Sequence, residues 1–180
     1  MVYQTHYASP LGTLTLTADD MGLTCLSRSG GCDPNAVVRD DLPVFQETRR
    51  WLELYFSGRE PDFLPPLHLV GTDFQMAVWE ILLTIPYGKT TTYGEIAAQI
   101  AARQGKTKMS AQAVGGAVGR NPICILVPCH RVVGKSGNLT GYAGGLDMKV
   151  ALLKAEHMDM RPFFLPKQAG ATEASPSQSL

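Results

Sequence analysis

The sequence predicts an α/β protein in two parts: a small antiparallel sheet with a helix, then a mainly helical half. Three observations carry this. β-prone runs alternate with turn chemistry through residues 3–27. Pro61, Pro65 and Pro66, followed by Gly71, break the pattern near Val70. Beyond that break, Thr72 with Gln75 and Thr92 with Glu95 form capping boxes that each open a helix-patterned stretch. The expected divisions are 1–70 and 71–162, with 163–180 as a disordered tail.

Tyr3 to Ala8, Thr13 to Ala18 and Leu23 to Ser27 read as strands, separated by Ser9-Pro10-Leu11-Gly12 and Asp19-Asp20-Met21-Gly22 turns. A helix is expected from about Leu42 to Ser57, capped by Asp41, with Pro43 in its first turn and Gly58 as its stop. Leu42, Phe45, Leu52 and Phe56 form its apolar stripe. The Thr72 box opens a helix to about Thr84, with Phe74, Val78, Ile81 and Leu82 inward, ended by Pro86-Tyr87-Gly88. The Thr92 box opens a helix through Ile100. After the loop Gln104 to Met109, Ser110 caps a short helix to about Val118. This pair looks like a helix-turn-helix variant, although its loop is longer than the usual turn and spacing alone does not establish it. Ile123 to Val127 is expected as a buried strand, and Lys135 to Asn138 as a turn. Leu146, Val150 and Leu153 mark a last helix ending near His157, and from Pro166 the composition is that of a disordered tail.

With 180 residues, 44% of them hydrophobic and 18% charged, the chain can bury a sizeable core. Met1 to His6 lacks the basic and apolar regions of a signal peptide, and no apolar run approaches a bilayer span, so secretion and membrane insertion are not expected. On that basis Cys25, Cys32, Cys124 and Cys129 are expected as free thiols. A zinc site at Cys25 and Cys32, completed by His6 and His68 through the fold, has weak support because no metal-ligand spacing accompanies them. The net charge of zero hides an asymmetry: residues 1–70 balance to −4 and residues 71–162 to +4. No Asp or Glu occurs from Ile96 to Leu146, a stretch that holds Arg103, Lys106, Lys108, Arg120, Arg131 and Lys135. Such a stretch suits a polyanion, since phosphates meet no repulsion there. From charge alone, a Gly- and Ala-rich core segment with few charges is the competing reading.

The segment Ile125 to Gly134 is the informative one for chemistry. Cys129 is followed by His130 and Arg131, neighbours that favour the thiolate, and Pro128 fixes the turn that presents it. The Arg spacing of a phosphatase loop is absent, and Val127-Pro128 does not suit a papain-like helix start. From the Cys-His pair alone, a small buried residue beside an ordinary surface His-Arg pair serves equally well.

The series Gly94-Glu95-Ile96-Ala97, Ala113-Val114-Gly115-Gly116-Ala117, Asn121-Pro122, Pro128-Cys129-His130-Arg131-Val132, Gly141-Tyr142-Ala143-Gly144-Gly145 and Leu152-Leu153-Lys154-Ala155-Glu156 resembles the 6-O-alkylguanine-DNA alkyltransferase family. The opening Ser9-Pro10-Leu11-Gly12 with Gly22-Leu23 is similar to that family's first domain, so the resemblance covers about residues 3–160. It implies a ribonuclease-H-like first domain and a winged-helix-like, DNA-binding catalytic domain. It implies a DNA repair protein, a suicide methyltransferase that moves one methyl or alkyl group from 6-O-alkylguanine, and from 4-O-alkylthymine, onto its own cysteine. By that similarity Cys129 is the acceptor, His130 its base through a water, and Glu156 the carboxylate that orients His130. Asn121 braces the active-site turn, Tyr93 donates to the flipped guanine, and Tyr142 with Ala143 lines the pocket. Gln112, Ala113, Gly115, Gly116, Arg120 and Arg131 fall on the DNA-binding side, with the small residues letting the second helix approach a minor groove closely. Taken singly, Glu156 reads as a solvated helix residue, Tyr93 as a half-buried aromatic, Asn121 as turn chemistry and the small residues as tight helix packing.

The chemistry has its own logic. Sulfur attacking a saturated carbon must be a thiolate in a narrow, dry pocket, and a base inside a duplex must first be flipped out. Three departures stand out: Gln112 where many members carry arginine, Ala143 where many carry serine, and a longer loop from Ala101 to Met109. The structural zinc ligands of some members have no counterpart, so neither metal nor cofactor is expected. The implied partner is double-stranded DNA, bound by a monomer in the cytoplasm, or in the nucleus of a eukaryote. A non-catalytic binder of alkylated DNA would replace Cys129, and a thiol hydrolase would turn over.

Overall fold

The computed structural model describes residues 1–28, 30–142 and 144–165. Three strands run β1 (Tyr3–Ser9), β2 (Gly12–Asp19) and β3 (Gly22–Ser27), antiparallel and in hairpin register. Asp19 Oδ1 accepts from the backbone N–H groups of Met21 and Gly22, closing the second hairpin. Gly22 is obligatory there: its φ is +151° and a Cβ would stand 2.6 Å from the Pro66 carbonyl oxygen. A two-residue strand missed in the sequence, β4 (Val37–Val38), joins β1 in parallel, giving the order β3-β2-β1-β4.

Helix α1 (Pro43–Phe56) covers one face of this sheet with Phe45, Leu52 and Tyr55 fully buried. Its N-cap is Leu42, not Asp41. The Asp41 carboxylate is drawn instead to Arg39 Nε at 2.9 Å, and Pro43 at the first position leaves one less N–H to cap.

The proline-rich segment is stitched to the sheet. Leu23 N–H donates to Pro66 O and His68 N–H to Leu23 O, each at 2.8 Å. Helix α2 (Asp73–Leu82) then opens with the full Thr72–Gln75 capping box. A short strand β5 (Thr91–Thr92) leads into α3 (Tyr93–Arg103), whose Thr92 cap accepts from Glu95 N–H. Helix α4 (Ala111–Gly119) is capped by Ser110, and Trp79 Nε1 of α2 donates to Ala117 O of α4 at 2.9 Å. A 3-10 turn (Cys129–Arg131) feeds β6 (Val132–Val133), which pairs with β5 in parallel. A second 3-10 turn (Lys135–Gly137) and helix α5 (Leu146–Ala155) follow. One core runs through both halves, from Leu14 and Leu26 of the sheet to Ile96, Ile125 and Leu152.

Residues 123–127 do not form the expected strand. Only Ile123 bridges to Leu26; beyond it Leu126 N–H donates to Cys124 O, Val127 N–H donates to Ile123 O, and Ile125 sits at φ +73°. The reason is Asn121. Its side chain accepts from Ile123 N–H at 3.0 Å and donates to Val127 O at 2.8 Å, supplying bonds a neighbouring strand would have made. The cysteines also differ from expectation: Cys25 and Cys32 are joined in a disulfide. The Gly30-Gly31 turn, both residues at φ +90°, folds the chain back so that their Cα atoms stand 5.9 Å apart. Cys124 and Cys129 are free. Of the expected tail, Phe163 packs on Val133, Leu139 and Leu153, and Phe164 O accepts from Leu139 N–H at 2.8 Å. Residues 166–180 lie outside the described part of the chain.

Candidate active site

The Asn121-braced turn ends at Pro128, and the following 3-10 turn places Cys129 and His130 side by side in the interior. Cys129 is 4% exposed and His130 fully buried. Helix α5 ends one residue before Glu156, whose carboxylate turns inward to the same point. His130 Nε2 lies 2.6 Å from Glu156 Oε2. Since the carboxylate can only accept, Nε2 carries the proton and Nδ1 is left as the basic nitrogen. Nδ1 is buried and has no hydrogen-bond partner among the described residues.

Glu156 is held as a carboxylate. Burial raises its proton affinity, but the hydrogen bonds and charges of His130 and Arg131 outweigh this and bring its pKa down to about 2. Arg131 Nε donates to Oε1 at 2.9 Å and Nη2 to Oε2 at 3.1 Å, a bidentate pair, while Gly88 N–H donates to Oε1 at 2.9 Å. Burial, with the charges of Arg131 and Lys149, lowers the pKa of His130 against the pull of Glu156, so the imidazole is kept neutral.

Cys129 is tuned the other way. The Cys124 thiol donates to it, and with Asn121, the charge of Lys149 and Tyr142 this lowers its pKa against the burial that would raise it. Cys124 itself is pushed up, first by its hydrogen bond to Cys129 and then by burial. Lys149 is fully buried, with its ammonium donating to Val132 O at 2.6 Å and Thr140 O at 2.8 Å. Burial lowers its pKa to about 8, while Cys129 pulls it upward.

Above this cluster opens an apolar cleft of about 1050 Å³, lined by Tyr93 of α3, Gln112 and Gly115 of α4, and Thr140 and Tyr142. Burial raises the pKa of both phenols, so both stay protonated donors. Tyr142 lines the cleft and bears on the pKa of both thiols, so it stands between the cleft and Cys129, its buried hydroxyl without a hydrogen-bond partner among the described residues. Ala113 and Gly116 are exposed on α4, and a Cβ on Gly116 would meet nothing within 4 Å. Arg103, Lys106, Lys108, Arg120 and Lys135 are all exposed.

The structure thus brings Cys129, His130, Asn121 and Glu156 together and sets Tyr93, Tyr142, Gln112 and Gly115 around one cleft. Ala143 lies outside the described residues. Arg120 flanks a second hollow with Asn121 and Cys124 rather than the main cleft. Arg131, expected on the DNA side, is corrected: it is buried, because its guanidinium is spent on Glu156 and on Ile85 O at 2.7 Å. Sequence reasoning missed Cys124, Lys149, Gly88 and Tyr55. Lys149 stands at the buried spacing of α5, three residues after Leu146 and four before Leu153, which was a legible signal.

Among the described residues no three His, Cys, Asp or Glu side chains are arranged to hold a metal, and no helix is long and apolar enough to cross a membrane. A sheet-and-helix half joined to a helix pair, around a buried Cys–His–carboxylate cluster beside an open cleft, defines a two-domain cysteine group-transfer protein. The chain belongs to the 6-O-methylguanine DNA methyltransferase family: residues 2–69 match its ribonuclease-like domain and residues 73–158 its DNA-binding domain. It is 42% identical over 159 residues to the methylated-DNA–protein-cysteine methyltransferase of Haemophilus influenzae, covering 86% of each chain. It is 46% identical over 159 residues to that of Methanosarcina acetivorans, covering 86% of this chain and 98% of the other. Among solved structures it is similar to Mycobacterium tuberculosis OGT in complex with DNA, with a TM-score of 0.76 at 44% identity over 89% of this chain and 94% of that one.

Proposed function

We propose that this chain repairs DNA by taking the alkyl group from 6-O-alkylguanine, and from 4-O-alkylthymine, onto Cys129, once per molecule. The observation that carries this is the buried Cys129 thiol, held toward its thiolate, next to a neutral His130 with Nδ1 free and Nε2 fixed by ionised Glu156. His130 Nδ1 takes the proton of Cys129 through an intervening water, and Glu156 stabilises the imidazolium that forms. Sγ then attacks the saturated carbon. The carbon–oxygen bond breaks, its electron pair stays on the guanine, and a phenol at the cleft, Tyr93, supplies a hydrogen bond to the departing base. The thioether has no route back, so turnover stops at one.

DNA fits against α4. Ala113 carries only a methyl and Gly116 no side chain, so neither holds a backbone away, and Gln112 and Gly115 line the rim through which a flipped base enters. The exposed bases on the acid-free stretch attract the phosphates. Asn121 holds the turn that aims Cys129, and Tyr142 forms the wall beside it. Such a protein works where chromosomal DNA lies, which in a prokaryote is the cytoplasm.

Cys129→Ser tests the assignment. Intact-mass spectrometry after mixing with methylated duplex should show no mass gain, while the variant binds the same duplex within a few-fold of wild type, because phosphate contacts supply the affinity. A methyl still gained by the variant would overturn the reading.

A further inference from the structure

We propose that Tyr55, on the first domain, is a positioning residue of the transfer relay: its phenol fixes the Glu156 carboxylate and limits the pull of that carboxylate on His130. This rests on the reading of His130 and Glu156 as the relay. Helix α1 carries Tyr55 across the junction between the two halves. Its ring stacks on Trp51 at 5.2 Å and meets the edges of Phe56, Tyr87 and His130 at 5.4, 6.3 and 6.4 Å, so it has no freedom to turn. Its hydroxyl stands 2.7 Å from Glu156 Oε2, the same oxygen that His130 Nε2 reaches. Leu152 O and His130 Nε2 are both farther, at 3.3 Å. One hydroxyl has one proton to donate, and the shorter contact to a charged acceptor receives it. Burial raises the phenol pKa, so the group stays a donor throughout the working range.

A buried tyrosine could have satisfied itself on Leu152 O alone. Here it shares the oxygen that sets the basicity of the imidazole, and Oε2 takes Tyr55, His130 and Arg131 Nη2 at once. Drawing charge from Oε2 weakens its attraction for a proton on His130, which keeps the imidazole neutral and Nδ1 available as a base. The other groups facing the cluster are Arg131 and Cys129 on the 3-10 turn, Lys149 on α5, Tyr87 after α2, and Tyr142. Removing the Tyr55 hydroxyl leaves the charges of Arg131, Lys149 and Cys129 in place. The first domain then contributes to the chemistry as well as to the fold.

The test is the pH profile of single-turnover transfer on a methylated oligonucleotide, with wild type, Tyr55→Phe, Glu156→Gln and the double variant. Tyr55→Phe keeps the ring packing. Without the donor, Glu156 attracts the imidazole proton more strongly, so the acid limb moves up by about one pH unit. On that limb the rate falls about tenfold, and on the alkaline plateau it changes little. In the Glu156→Gln background, removing the hydroxyl should change neither limb nor rate. A site-specific 3-fluorotyrosine at position 55, a stronger donor of the same shape, should move the limb the other way and serves if Tyr55→Phe folds poorly. A slow Glu156→Gln with an unshifted Tyr55→Phe overturns the role of Tyr55 alone. A Glu156→Gln rate within threefold of wild type overturns the relay reading beneath it.

Discussion

Glu156→Gln should destabilise the protein by an amount that depends on pH, and the structure gives both size and window. The carboxyl falls from an ordinary 4.5 to about 2 on folding, because His130 and Arg131 outweigh its burial. A shift of about 2.5 units corresponds to about 3 kcal/mol, on the order of what removing one partner of a buried ion pair costs. The folded pKa is depressed, so this stability is present above pH 4.5 and is lost as pH falls from there toward 2. His130 adds a separate loss at higher pH. It is held neutral in the fold, so stability also falls as pH drops below the ordinary 6.5 at which the unfolded imidazole charges. Urea unfolding followed by the fluorescence of the two tryptophans, both buried, measures this at a series of pH values. Wild type should exceed Glu156→Gln by about 3 kcal/mol at pH 7, and the gap should close below pH 4.5 as the wild-type carboxyl becomes neutral. A gap that stays constant from pH 7 to pH 2.5 would refute an ionised Glu156 paired with Arg131.

Three further outcomes follow from the cleft and the thiol pair. Gln112→Arg should tighten duplex binding and steepen its salt dependence by about one unit of slope per added phosphate contact, read from Kd against salt; an unchanged slope means position 112 does not reach the backbone. Gly116→Ala should raise stability by about 0.5–1 kcal/mol, since the added methyl meets nothing in the protein, yet weaken DNA binding where the helix approaches the groove. Thermal melts and Kd should therefore move in opposite senses, and binding left unchanged would remove α4 from the DNA interface. Cys124→Ala removes the thiol that donates to Cys129, so the acceptor pKa should rise, measured as the pH midpoint of alkylation by iodoacetamide.

Local signals carried much of the fold. The three strands, the Thr72 box and the Ser110 cap occur where turn and capping chemistry put them, because those bonds close within four residues. What depends on distant partners was not legible. The apolar run Ile123 to Val127 has strand chemistry, but Asn121 consumes the backbone bonds a strand would need. Asp41 had cap chemistry, but Arg39 competes for its carboxylate. In the site, the Cys129–His130 motif and Glu156 were readable once the family resemblance joined them. Tyr55 was not, because a phenol on an apolar stripe looks like core until α1 is docked against α5. Arg131 was misplaced for the matching reason, since charge alone does not tell a buried partner of Glu156 from a phosphate contact.

The central claim is transfer of one alkyl group to one sulfur. Wild-type protein mixed with excess methylated duplex should gain the mass of a single methyl and stop. Peptide mapping should place it on Cys129, with Cys124 unmodified. A second equivalent, continued turnover, or a methyl on Cys124 would contradict the account.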